Sequence, residues 1–135
     1  MAWQVLLLKK LPDAFGSLSA LPADYVPAPL GEPEHVAKHI TEAASGRDLD
    51  VDHTDRLVVL RHDDFVIEAE LGGVATIDRV LLNVLGSEAA LPIVGELART
   101  LGATAIDCET DAVLDIDAIA PDSLRLWQNR IDDLR

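Results

Sequence analysis

Between Arg56 and Gly86 the chain alternates apolar and polar residues in short runs parted by turn residues. Leu57 to Arg61, Phe65 to Leu71 and Thr76 to Leu85 predict three strands, with His62-Asp63-Asp64 and Gly72-Gly73 as the connections of an antiparallel meander. In the middle run Phe65, Ile67, Ala69 and Leu71 fall on one face at period two, and Val66, Glu68 and Glu70 fall on the other. That is the pattern of a half-buried strand with an apolar inner side and a mixed acidic outer side.

Ala2 to Lys9 predicts a further strand with Trp3, Val5 and Leu7 on one face and Leu6 and Leu8 on the other; apolar residues on both faces place it centrally. Residues 10–31 hold Pro12, Pro22, Pro27, Pro29, Gly16 and Gly31, too many breakers for a regular element, so they predict a long surface connection. Pro33 suits the first position of a helix whose stripe is Val36, Ala37, Ile40, Ala43 and Ala44, with Gly46 ending it. A second helix carries Leu91, Val94, Leu97, Ala98 and Leu101 and closes at Gly102. Pro92 moves its expected start from Ser87 to near Ala90. Thr104 to Cys108 predicts a short strand that Val113 to Ile116 extends or pairs with, and Leu124, Trp127, Ile131 and Leu134 mark a C-terminal helix.

The pattern predicts one α+β domain over residues 1–135, with 117–135 as a helical tail. Its expected order is strand, helix, three strands, helix, strand, helix, with a mainly antiparallel sheet and the first two helices on one face of it.

Composition narrows the function. Asp and Glu number 24 against 11 Lys and Arg, a formal net charge of −13, and residues 51–135 hold 17 of those acids. A field of this sign repels nucleic-acid phosphates and anionic lipid and speeds encounter with a basic partner, although an acidic surface also serves solubility alone. Aromatic residues are 4%, which leaves few platforms on which bases could stack. The apolar run of MAWQVLLLKK is too short for a membrane span and precedes its charges, so neither a signal peptide nor a membrane segment is expected. Cys108, the only cysteine, permits no internal disulfide and suits a reducing compartment, so a cytoplasmic location is expected.

Candidate chemistry is sparse. His35 and His39 have the spacing of a two-histidine metal face, but no Glu follows His35 and no third ligand is placed, so they read as solvated helix histidines. Asp48, Asp50 and Asp52 open like a calcium loop; His53 then stands where Gly is required and Val59 where the bidentate Glu belongs, so the segment reads as a charged loop before a strand. Asp107 and Glu109 flank Cys108 and disfavour its thiolate, so it reads as a buried structural cysteine. Glu68 and Glu70 as an acid/base pair are outweighed by their reading as the wet side of a strand. No catalytic, cofactor-binding or metal residue is therefore assigned, and no cofactor is expected.

The Trp3 strand, the Pro29-Leu30-Gly31 connection, the runs FVIEAELG and LLNVLG, and the helix leading to AIDC at 105–108 resemble a group of small bacterial α+β proteins over residues 3–108. The shared residues are core and turn residues, so the resemblance implies a common fold and brings no catalytic residue. The chain is also similar in style to immunity proteins that neutralise bacterial toxins. Together these features predict a non-enzymatic acidic binding module for a basic protein, presenting Asp63, Asp64, Val66, Glu68 and Glu70. The alternatives are a homodimer built through the sheet face or the Trp127 helix, and, third, a metal protein or enzyme using His35, His39, Cys108 or the acidic loop.

Overall fold

The computed structural model describes residues 3–9, 28–45, 49–54, 56–73, 75–109 and 113–114, apart from the side chain of Glu88. In chain order these form β1 (Trp3–Lys9), α1 (Pro33–Ala44), β2 (Asp50–Thr54), β3 (Leu57–Arg61), β4 (Phe65–Gly72), β5 (Arg79–Gly86), a 3-10 turn (Glu88–Ala90), α2 (Leu91–Leu101) and β6 (Ala103–Asp107). The six strands make one sheet in the order β2-β3-β4-β5-β1-β6, and every neighbouring pair is antiparallel. The chain is thus α+β, with an antiparallel sheet and two described helices.

The inner face is continuous across the sheet because opposed residues of paired strands share a side. Leu60 opposes Ile67, Ile67 opposes Val84, and Val84 opposes Trp3; Ala69, Leu82 and Val5 form the next row. These side chains are buried in one cluster with Val36, Ala37, Ile40, Ala43 and Ala44 of α1 and Leu91, Val94, Leu97, Ala98 and Leu101 of α2. Both helices therefore bury their apolar stripes against the same face of the sheet. Trp3 is fully buried, and its Nε1–H has no acceptor among the described residues.

Local sequence explains the element ends. Pro33 starts α1, whose last residue is Ala44, with Ser45 as its C-cap. Ser87 Oγ accepts the Ala89 N–H at 3.3 Å and caps the 3-10 turn, so α2 begins at Leu91 with Pro92 in its first turn, close to the expected start near Ala90. Gly102 ends α2 in the left-handed region, at φ +61°.

Several expectations need correction. The element order differs, because Asp50–Thr54, read as a charged loop, is an edge strand paired with β3. All five of its residues are exposed, so no apolar alternation announced it; an edge strand needs only main-chain bonds to one neighbour. The strand expected at Thr76 to Leu85 runs Arg79–Gly86, because Ile77 is held apart by hydrogen bonds with Leu30 and Gly31, each 2.7 Å. Cys108 is exposed rather than buried. The register that opposes Val5 to Asp107 turns Asp107 to the inner side, where it is 2% exposed, and puts Cys108 just past the strand end. The C-terminal helix, the 117–135 tail, Gly46 and residues 10–27 of the Pro-rich connection lie outside the described residues. Of the expected pairing with Thr104 to Cys108, a bridge from Ile106 to Val113 and a 2.8 Å bond from Leu114 N–H to Ala105 O are described.

Candidate functional site

The side of the sheet opposite α1 and α2 carries the outward residues of every strand. Opposed pairs define its rows. Asp50, Arg61, Val66 and Leu85 form one; Asp52, Val59, Glu68, Asn83 and Gln4 form the next; Thr54, Leu57, Glu70, Leu81, Leu6 and Ile106 form the third. Val66, Glu68 and Glu70 are brought onto one surface as expected, since they alternate with the buried Phe65, Ile67, Ala69 and Leu71.

This face is neither wholly polar nor uniformly open. Leu57, Val66, Leu81 and Leu85 are half-buried on it, Val59 is buried at the middle of β3, and Leu8 and Ile106 are buried with Leu6 and Val113 packed against them. The accessible part therefore lies over β4 and β5, with exposed β2 and Arg61 at its edge. There Glu70 Oε2 accepts the Asn83 Nδ2–H at 2.8 Å, and Asn83 Oδ1 accepts the Gln4 Nε2–H at 3.0 Å. These bonds link the Glu70 carboxylate to Asn83 and Gln4 across β4, β5 and β1. Arg61 Nη1 stands 3.7 Å from Asp52 Oδ2, a solvent-exposed pair of small energetic weight.

Asp63 and Asp64 lie beyond the end of this surface, in the two-residue turn between β3 and β4. The turn is closed by His62 N–H donating to Phe65 O at 2.9 Å, and the two rings stack with centroids 4.8 Å apart. Asp64 N–H donates to His62 Nδ1 at 3.1 Å, while Asp64 O accepts the Ser87 N–H at 3.1 Å. Both aspartate side chains remain exposed. Asp63 also lines a cleft of about 280 Å³ with Asp50, Arg61 and His62.

The five residues chosen from sequence thus fall into two groups, three on the sheet face and two at its end. Sequence reasoning missed Asp50 and Asp52, which join the same rows once β2 is a strand, and it gave no role to Asn83 and Gln4. No apolar alternation could have found β2, because Val51 and His53 on its other side are as exposed as Asp50, Asp52 and Thr54. His35 and His39 sit exposed on α1, where His39 Nδ1 faces Glu42 Oε2 at 3.8 Å. Among the described residues no cluster of three His, Cys, Asp or Glu is placed to hold a metal ion. No described helix is long and apolar enough to cross a membrane. No family model and no curated protein matches the chain.

Proposed function

We propose that the chain is a non-enzymatic binding module that presents the accessible part of its sheet face and the Asp63-Asp64 turn to a basic protein. Its most specific form is an immunity-type inhibitor of a basic toxin or enzyme acting in a bacterial cytoplasm. One observation carries the reading: both described helices pack on one side of the sheet, leaving Glu68 and Glu70 among half-buried Val66, Leu81 and Leu85 on the other. Apolar surface beside a net negative charge, with Glu68 and Glu70 outnumbering Arg61, suits a partner of opposite sign, the charges setting encounter rate and register. The net charge of −13 extends that attraction beyond contact distance.

A partner captured from the native cell at low salt and then purified provides the test, with titration calorimetry against the wild type and the Glu68→Lys/Glu70→Lys pair. The double reversal is expected to weaken binding at least about tenfold. Its melting temperature should stay close to that of the wild type, because surface changes of this kind are usually within about 0.5 kcal/mol. Affinity should also fall as salt rises. Failure to capture a basic protein, or equal affinity for the reversed variant, would remove the reading.

A further inference from the structure

The two outer strands of the sheet are not alike. β6 is continued by the bridge from Ile106 to Val113, whereas β2 has β3 as its one strand neighbour among the described residues and is exposed along its whole length. The phase of the hydrogen bonds shows which of its backbone groups face outward. Because His62 N–H bonds to Phe65 O, the even-numbered residues of β3 bond to β4, and Leu57, Val59 and Arg61 bond to β2 at Thr54, Asp52 and Asp50. Alternation then turns the N–H and C=O of Val51 and His53 away from the sheet. Val51 is also 39% exposed, the one large apolar side chain in that state among the described residues.

A cleft lies on each side of this edge. On the helix side a space of about 370 Å³ between β2 and α1 is lined by Glu34, Ala37, Lys38, Thr41, Glu42 and His53. On the other side is the cleft of about 280 Å³ lined by Asp50, Arg61, His62 and Asp63. An extended chain laid along β2 sends successive side chains to opposite sides of the sheet, and hence toward one cleft and then the other. Main-chain bonds to Val51 and His53 would supply affinity and the two clefts selectivity, the division of labour in strand addition.

We propose that β2 accepts an extended basic segment of a protein partner as a seventh strand. The inference rests on the reading that the partner is basic. Charge selects this occupant: Lys38 lies 4.0 Å from Glu42 and Arg61 3.7 Å from Asp52, so Glu34, Asp50 and Asp63 carry the net charge that an incoming chain meets. A second copy fits poorly, since symmetric antiparallel pairing over the acidic half of β2 sets Asp52 against itself or against Asp50, and like charges directly opposed are destabilising.

The test uses a short labelled peptide alternating lysine and valine, followed by fluorescence anisotropy against the full chain. The unmodified peptide is expected to bind, and the same peptide N-methylated at alternate amides, with equal charge and no donors for the edge, to bind at least about tenfold more weakly. Val51→Pro removes an outward N–H that β3 does not use, at an edge position where proline is tolerated, and should weaken the unmodified peptide to a similar degree. If circular dichroism shows that this variant does not fold, the methylated peptide on the wild type still decides. Equal binding of both peptides, no binding of either, or undiminished binding by folded Val51→Pro overturns the inference. So does sedimentation showing a dimer that Val51→Pro dissolves, since the occupant would then be a second copy. Loss of the edge result with retained sensitivity of the captured partner to Glu68→Lys/Glu70→Lys overturns strand addition alone; the converse pattern overturns the sheet-face reading and leaves the edge.

Discussion

Leu82→Ala is expected to destabilise the fold by about 2–5 kcal/mol, the range for truncating a fully buried leucine. Leu82 has no exposed surface and lies on β5 between Val5 of β1 and Ala69 of β4, beneath the layer formed by α1 and α2. Ala69 is too small to collapse into the vacated space, so most of the cavity should persist. Leu81 provides the control. It adjoins Leu82 in sequence but opposes Leu6 and Glu70 on the other face, where it is half-buried. Leu81→Ala is expected to cost less than about half as much, in proportion to the smaller apolar area it keeps from water. Urea unfolding of the two variants measures the difference, and equal losses would mean that the outward face is covered as fully as the inward one.

The second large effect is expected at Gly73. Its φ is +129°, a region that side-chain-bearing residues rarely adopt, and an added Cβ would collide with the carbonyl oxygen of Thr76. Gly73→Ala should therefore cost at least about 1–3 kcal/mol from backbone strain alone. The consequences extend further, because Arg56 Nη1 donates to Gly73 O and the bend leads directly to Ile77, whose bonds hold the Leu30-Gly31 segment. Gly72→Ala should be far milder. Gly72 is the last residue of β4, and the atoms nearest its Cβ would be those of the flexible Arg79 side chain, 2.8 Å away before that side chain shifts. Thermal unfolding of the two neighbouring variants tests the contrast; equal shifts in Tm would contradict this assignment of the bend.

The pair also shows how far the sequence could be read. Gly72-Gly73 marks a turn by residue type, but which glycine takes the left-handed conformation depends on where Arg79 and Thr76 come to lie. The same division recurs along the chain. The inward residues of β4 and the stripes of α1 and α2 were legible, because each of these elements carries its own period and buries the face that period makes apolar. β2 was not, since an edge strand exposed on every residue has no buried face to write into its sequence. Cys108 was misplaced because residue type and flanking acids say nothing about parity, whereas the pairing of Val5 with Asp107 fixes it. Of the candidate site, Val66, Glu68 and Glu70 followed from alternation on one strand, while Asp50, Asp52, Asn83 and Gln4 required knowing which strands are neighbours.

What the sequence determined by itself is local: the central β-meander, the faces of two helices, a strand apolar on both sides, and a strongly negative charge. Each is a property of consecutive residues, set by side-chain period, turn chemistry and composition. Tertiary structure decided the order β2-β3-β4-β5-β1-β6, the gathering of both helices on one face, and the exposure of β2 as an edge between two clefts. Those features depend on pairings between residues far apart in the chain, whose energy comes from backbone bonds and shared burial that no single segment encodes.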